Sequence, residues 1–406
     1  MLDVLIVGAG PAGLMAADRL SQEGFTVTVA ERLPSPARKF LMAGRGGLNL
    51  THSENLAAFL ARYREAEPVL DPMIRSFPPE ALRSWCEQLG EETFVGSSGR
   101  VFPKTMKASP LLRAWLRRLD ENGVRLMTRT AWTGFDEAGP ALLQREGETA
   151  LPFPARTVLL ALGGASWPKL GSNAAWVPLI EARGIRVNRF RPANCGFEVS
   201  WSPYLRKRFA GTPLKRITLS HGGNTVHGEA VISDRGLEGG AVYALSADLR
   251  RSIDADGVAD LAVDLRPALT QVALAKKLSR PRGKQSTATF LKKAVKLKPE
   301  ELALLREAGD LPEDADALAR QIKTVTLRCE ATYGIERAIS SAGGIALDEF
   351  DDALMLKKLP GVFAAGEMLD WEAPTGGYLL QACFATGVRA AEGIAAYLKN
   401  RRNPST

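Results

Sequence analysis

The first apolar run of this chain, LDVLIV (residues 2–7), leads directly into Gly8, Ala9, Gly10, Pro11, Ala12 and Gly13. A strand that ends in G-x-G-x-x-G and opens a helix is the arrangement a dinucleotide requires. Gly8 permits the tight turn, Gly10 lets the backbone approach a pyrophosphate, Gly13 lets the helix pack on the strand, and the helix N-terminus faces the phosphates. Glu31 ends the second apolar run, 23 residues after Gly8. A carboxylate there accepts hydrogen bonds from an adenosine ribose diol and repels a 2′-phosphate. Arg32, Lys39, Ala131, Ala161, Gly163 and Gly164 are expected beside the same ligand.

A second glycine-rich stretch, AGRGGLNLTH (residues 43–52), suits neither helix nor strand. Glycines around an arginine fit an anion, but the place of the stretch after Glu31 assigns Gly44, Arg45, Gly46, Gly47, Leu48 and Asn49 to the ribityl and ring end of a flavin. The missing side chains would make room for the ring. Toward the C-terminus, GVFAAGEMLD supplies Gly366 and Glu367, and PTGGYLLQACFATG opens a helix at Gly376, Gly377 and Tyr378. Amides at such a helix start stabilise the negative charge of a reduced flavin, which favours FAD over NAD as the tightly held cofactor.

Three residues are the candidate catalytic groups. Arg45 would stabilise a reduced flavin or a substrate oxyanion, His52 would deliver or accept a proton, and Tyr378 would cover the ring or donate a proton. Each has a plainer alternative: a loop arginine, a cap histidine and a packed tyrosine.

The elements that must hold these groups read as a doubly wound α/β domain. LDVLIV, a helix from Pro11 stopped by Gly24, and FTVTVAE form a βαβ opening. SPLLRAWLRRLDENG (109–123) reads as an amphipathic helix, GVRLMTRTAWTGF as one strand, Leu142 to Phe153 as hairpin material and TVLLALGGAS as a buried strand. The texture changes near residue 191. The expected division is a Rossmann-like FAD-binding domain of the glutathione-reductase kind, residues 1–190 and 343–406, interrupted by an insert at 191–342. Within the insert, 191–266 and 324–342 read as a β-barrel and 267–323 as helices.

With 406 residues, 45% apolar and 24% charged, the chain has the composition of an ordinary globular protein large enough for two folding units. No apolar run is long enough to span a bilayer, and Asp3 sits where a signal peptide carries bases, so a cytoplasmic location is expected. Cys86, Cys195, Cys329 and Cys383 lie far apart without a C-x-x-C pair, which excludes a redox dithiol or zinc knuckle and predicts buried free thiols; no metal site is expected. Charge is uneven. Lys276 to Lys298 holds nine bases and no acid, whereas Glu300 to Arg320 holds seven acids and two bases. Such blocks read first as solvated helix faces that pair with each other, and second as a nucleic-acid or anionic-ligand surface.

The runs GAGPAGLMAA, GRVFPKTMKAS (99–109), LLALGGASWPKLGS (159–172) and GVFAAGEMLDWEAPTGGYLLQACFATG (361–387) together resemble the BaiN-like, or YhiN-like, flavoproteins. The resemblance covers nearly the whole chain and implies an FAD domain interrupted by a barrel-plus-helices insert, with Glu367 bound to ribitol or pyrophosphate oxygens. The family pattern near S-G-G-G-R-C-N-L-T-N is altered here, with Ala43, Arg45, Gly47, Leu48 and His52 at the positions of Ser, Gly, Arg, Cys and the final Asn. The family cysteine is therefore replaced by Leu48.

The leading expectation is an FAD-dependent oxidoreductase that moves a hydride between flavin N5 and a small organic substrate. By the resemblance, it reduces an activated C=C bond, with NAD(P)H as a transient reductant. Two other classes stay open: a flavoprotein that binds or acts on RNA or tRNA through the basic 276–298 segment, and a non-catalytic flavin-binding sensor. Nucleic acid is the less expected partner.

Overall fold

The computed structural model describes residues 2–137 and 139–402, leaving the side chains of Arg45 and Arg402 outside the described set. Residues up to Arg191 and from Ser340 onward form one compact unit, and Pro192–Ile339 forms a second.

The first unit is built on five parallel strands: β1 (Leu2–Val7), β2 (Val27–Ala30), β3 (Arg125–Met127), β4 (Ala155–Leu160) and β5 (Val362–Ala364). Their order is β5-β4-β1-β2-β3, so the chain reverses direction across the sheet at β1. That reversal opens a crevice beyond the carboxyl ends of the strands, where ligands of doubly wound sheets bind. Near-continuous apolar sequence suits strands buried on both faces, and Val4, Leu5, Ile6, Leu159 and Leu160 are wholly buried.

Helix α1 (Pro11–Gln22) follows β1, and the long closing helix α2 (Tyr378–Arg402) packs along it. The approach is close: a Cβ on Gly387 would lie 2.4 Å from the Ala12 carbonyl oxygen. The expected single strand after Gly123 is two strands. Arg129 takes a positive φ of 51°, so Arg125–Met127 joins the parallel sheet while Thr130–Phe135 starts a separate antiparallel sheet with Ala141–Arg145 and Leu151–Phe153.

In the second unit, seven mostly antiparallel strands form a nearly closed sheet. It runs from Val325–Cys329 through Ala259–Asp264, Thr212–His221, Asn224–Ile232, Gly236–Glu238 and Phe197–Glu198 to Ala331–Thr332. Its first and last strands are consecutive in the chain, which is what curls the sheet on itself. The turn between Thr212–His221 and Asn224–Ile232 is Gly222–Gly223, both at positive φ as a two-residue hairpin requires. Helices Gln271–Leu278, Thr287–Val295, Pro299–Glu307 and Ala315–Lys323 occupy the stretch expected to be helical. All four cysteines are free and buried, and burial pushes the Cys86 and Cys329 thiols up to about 12, so neither is a thiolate near neutrality. Among the described residues, no helix is long and apolar enough to cross a membrane.

One buried charge ties the helical layer to α1. Asp18, wholly buried, accepts from Gln22 at 2.8 Å, from the Trp85 indole at 2.8 Å and from Arg118 at 2.7 Å. Removing one partner of such a pair costs about 3 to 5 kcal/mol because the other stays buried and unpaired. Asp18→Ala is therefore expected to lower the unfolding free energy from urea titration, followed by tryptophan fluorescence, by about 3 to 5 kcal/mol; an unchanged midpoint contradicts it.

Candidate functional site

The β1–α1 turn accounts for its three glycines in three different ways. Gly8 has φ 104°, and a Cβ there would stand 2.3 Å from the Ala161 carbonyl oxygen; a Cβ on Gly13 would stand 2.1 Å from the Gly8 carbonyl oxygen. These two are fixed by the packing of β4, turn and helix on one another. Gly10 differs, because nothing lies within 4 Å of the Cβ it lacks. Its bare side faces the cleft. Gly10 caps α1 without any side-chain hydrogen bond, and Pro11 follows at the first helical position. The first-turn amides and the positive end of the helix dipole therefore face that opening, as an anion site requires.

The cleft is lined by residues that follow β1, β2 and β4: Gly8 to Pro11, Glu31 to Leu33, and Ala161 to Gly163. Ala131 and Lys39 also line it. Glu31 accepts from the Ala9 amide at 3.0 Å and the Leu33 amide at 2.8 Å, one bond per oxygen, which leaves lone pairs for a diol. Ser172, Asn173, Trp132 and Trp176 also line it and were not expected. The polar pair Ser172-Asn173 directly after the glycine-rich LLALGGASWPKLG run was the available signal. Trp176 donates its indole to the Gly163 carbonyl at 2.9 Å, while the buried Ser172 hydroxyl has no hydrogen-bond partner among the described residues. Ala12 and Gly13 are buried in the helix packing, and Gly164 lies against Ser341, whose hydroxyl would meet a Cβ there at 2.1 Å.

From the cleft, Lys39 reaches the C-terminal segment. Its ammonium donates to Glu367 at 2.7 Å and to Ser166 at 2.7 Å. The second Glu367 oxygen is buried with no hydrogen-bond partner among the described residues. An orphaned carboxylate oxygen beside a lysine on a cleft wall is a group prepared for hydroxyl donors. Gly366 lies against Ala12 and is fixed by the Thr386 hydroxyl, 3.0 Å from its amide, and by the Trp371 indole, 2.9 Å from its carbonyl. The residues thus fit FAD: open backbone for the pyrophosphate, Glu31 for the ribose, and unpartnered Ser172 and Glu367 oxygens for polar groups beyond.

The 43–52 stretch is placed differently from the expectation. Two of its glycines make room for the protein itself. A Cβ on Gly44 would lie 2.7 Å from the Ala108 Cβ, and one on Gly47, at φ 107°, would lie 2.6 Å from the Met106 methyl. Gly46 alone is open, with nothing within 4 Å. Leu48 is wholly buried and donates its amide to the Met106 carbonyl at 3.0 Å, so its side chain cannot line a ligand cleft. Asn49 is spent on the Thr51 and Val101 carbonyls at 2.8 and 3.2 Å. The Arg45 side chain lies outside the described residues.

His52 and Tyr378, far apart in sequence, stack with ring centroids 5.6 Å apart. Neither lines the cleft. His52 accepts the Glu54 amide at Nδ1 (3.1 Å), so Nε2 carries the proton and donates to the Ser98 carbonyl at 2.9 Å. Tyr378 is buried against Phe59, donates its hydroxyl to Glu54 and accepts the Tyr63 hydroxyl at its carbonyl, 2.7 Å away. Burial first, then the Glu54 contact, pushes the Tyr378 phenol well above its ordinary value. Both candidate proton donors are therefore committed to protein partners. They clamp the turn at Gly377, where a Cβ would lie 2.5 Å from the Thr51 Cα, and so fix the start of α2. Glu54, which no sequence signal singled out, is the hub: Arg62 donates to both its oxygens, at 3.2 and 2.8 Å.

Comparison with known proteins places the chain among flavoenzyme-like molecules. The family model described as "HI0933-like protein Rossmann domain" matches residues 2–393. The chain is 26% identical over 410 residues to a 3-dehydro-bile acid delta(4,6)-reductase of Clostridium scindens, covering 96% of this chain and 98% of that protein. It is 23% identical over 409 residues to a ribosomal RNA dihydrouridine synthase of Escherichia coli, covering 97% and 98%. Among solved structures, a flavocytochrome c3 fumarate reductase superposes with TM-score 0.55 at 15% identity, covering 98% of this chain and 78% of that one. The 3-ketosteroid delta1-dehydrogenase of Sterolibacterium denitrificans does so with TM-score 0.55 at 13% identity, covering 97% and 99%. At these identities the structural matches speak for the fold.

The clamp around Glu54 yields a pH-dependent expectation. Burial raises the Glu54 carboxyl, but hydrogen bonds from Arg62 and Tyr378, with the Arg62 charge, outweigh it and hold the group below its usual 4.5. A carboxyl lowered in the folded state contributes stability that is fully present above about 4.5 and is lost as the pH falls through the lower folded value. Glu54→Gln should cost about 1 to 2 kcal/mol at pH 7, and the gap to the wild type should close in acid below about pH 4.5. A gap that is flat across that range in thermal unfolding contradicts the clamp.

Proposed function

Because the chain belongs to the HI0933-like Rossmann family, we propose that its cleft holds FAD and that it is an oxidoreductase saturating a C=C bond conjugated to a carbonyl group. The observation that carries the cofactor reading is the bare side of Gly10, which no protein atom fills, set between α1 and Glu31. The reaction reading is supported by the two whole-length relatives. One is named for reducing a dehydro-bile acid and the other for making dihydrouridine. Both names describe addition of hydrogen across a double bond next to a carbonyl.

When bound, FAD supplies hydride transfer, chemistry that no side chain of the protein offers. The chain's residues then divide the remaining work. Gly8, Gly10 and the α1 amides bind the pyrophosphate, Glu31 holds the ribose diol, and Lys39, bonded to one Glu367 oxygen, positions the other for hydroxyl groups. Gly46 leaves backbone uncovered, whereas the Gly376–Gly377 turn is packed against Tyr378 and Thr51, and His52, Glu54 and Tyr378 are positioning residues that hold that turn still. NADPH or NADH is the expected reductant, encountered in passing, since LLALGGASWPKLG does not form a second G-x-G-x-x-G.

Two measurements test this. Purified protein titrated with FAD should bind it, and Glu31→Ala should weaken binding by about 10- to 100-fold, the worth of lost hydrogen bonds to a charged group; equal affinity in the variant contradicts the placement. Under anaerobic conditions, NADH or NADPH should reduce the holoprotein and a 3-oxo-4-ene steroid should reoxidise it with loss of the enone absorbance. A protein that takes up no FAD overturns the cofactor reading. Flavin that no enone reoxidises overturns the reaction in favour of a flavin-binding sensor.

A further inference from the structure

After β4, residues 164–174 leave the sheet and return to almost the same point. The Ala174 amide donates to the Gly164 carbonyl at 3.2 Å, which closes a neck on the loop. A loop whose ends meet in this way is compact enough to act as one piece. Its base is anchored: the Ala165 amide donates to the Ser341 hydroxyl at 3.0 Å, and Lys39 donates to the Ser166 hydroxyl at 2.7 Å. The tip, residues 167–173, is held differently. Among the described residues it receives one hydrogen bond from another segment, from Arg32 to the Gly171 carbonyl at 3.3 Å, at an exposed position. Gly171 also lies against the Leu33 side chain, whose Cδ1 would be 3.3 Å from a Cβ there.

Strand order gives this contact its consequence. β1 stands between β4 and β2. The loop leaves from the β4 side, whereas Arg32 and Leu33 follow β2, so the tip crosses the carboxyl end of β1 and the Gly8–Gly10 turn upon it. Leu170 to Asn173 and Gly8 to Pro11 line the same cleft. A dinucleotide with its ribose on Glu31 and its pyrophosphate at Gly10 therefore lies behind the tip and passes the Arg32–Gly171 contact on its way in and out.

Two further features bear on how the closed form is held. Trp167 and Ala174, at the two ends of the tip, take φ of 61° and 53°, left-handed conformations that residues other than glycine adopt at a cost. The buried Ser172 hydroxyl lacks a hydrogen-bond partner among the described residues, an unmet polar group on the cleft wall. We propose that residues 164–174 form a strap over the cleft, latched by Arg32, which opens to admit FAD and closes Ser172 onto one of its polar atoms. This step rests on the cofactor reading above. One exposed hydrogen bond is a weak latch, so the strap opens without disturbing the sheet. The ligand favours the closed form because it supplies the partner that Ser172 lacks.

The test follows FAD entering and leaving the full-length, flavin-free protein by stopped-flow fluorescence. Arg32→Ala should raise the rates of both entry and release, each about 2- to 10-fold, the worth of one net hydrogen bond, and so change the dissociation constant less than either rate. Loss of a positive charge by itself slows the approach of an anion, so faster entry reports the latch. Ser172→Ala should speed release by a similar factor and leave entry unchanged. Without FAD, the amides from Leu170 to Asn173 should exchange hydrogen faster in Arg32→Ala than in the wild type, and FAD should slow them in both. Melting temperatures near the wild type show that the variants are folded. Entry no faster in Arg32→Ala, or tip amides that respond to neither the substitution nor FAD, overturns the strap alone. Release from Ser172→Ala at the wild-type rate overturns the closure of Ser172 onto the ligand. A wild type that takes up no FAD overturns the cofactor reading and the strap's role with it.

Discussion

Three backbone segments meet at Gly8 with no room for a side chain between them. The end of β4 delivers the Ala161 carbonyl to within 2.3 Å of where a Gly8 Cβ would be, and the Gly8 carbonyl in turn blocks any Cβ on Gly13. This contact depends on the register in which Val7 stands beside Leu160, so it couples the sheet to α1 directly. A cleft follows from it: β1, β2 and β4 end level with one another, and the loops leaving them form its walls. Gly10 is the glycine that the contact leaves over. No protein atom requires it to be bare, and it lines the cleft.

Away from the sheet, single buried or half-buried carboxylates join elements alongside the apolar core. Asp18 joins three helices, Glu54 joins the 43–52 segment to the start of α2, and Glu307 joins two helices of the insert. Each is satisfied by two or more donors, the condition under which a buried charge specifies geometry without a large penalty. Glu301 and Glu307 are spent in this way, on Arg266 and Ser202, and of the nine bases from Lys276 to Lys298 only Lys298 is in an ion pair among the described residues, with Glu300 at 3.7 Å.

Features whose partners are local were legible in the sequence. The βαβ opening, the glycine fingerprint and Glu31 all rest on residues within a few positions of each other, or on one strand and its neighbour. What failed to show were contacts across the chain. Glycines 44 and 47 were read as space for a ring because Met106 and Ala108, which occupy that space, lie some sixty positions on. Glu54 carried no signal because its partner Tyr378 is 324 residues away. The strand after Gly123 was read as continuous because nothing in its β-rich sequence marks Arg129 for a positive φ. Charge blocks misled for the same reason, since adjacency in sequence does not decide which acid finds which base.

Position 48 shows how such distant contacts change a functional reading. In the resembling family pattern a cysteine stands there, and its replacement by Leu48 suggested a lost reactive group. In the structure the Leu48 side chain is wholly buried and its amide is bonded to Met106. A thiol in that setting would be shielded and, as at Cys86, pushed up by burial, so it would act as a small apolar filler. At position 48 this chain carries a larger core residue, and it does not line the cleft. What distinguishes this segment is instead its last residue, where His52 packs its ring on Tyr378 and bonds to Ser98 and Glu54. Where the family pattern has asparagine, His52 brings a flat ring that stacks on Tyr378 at the turn that starts α2.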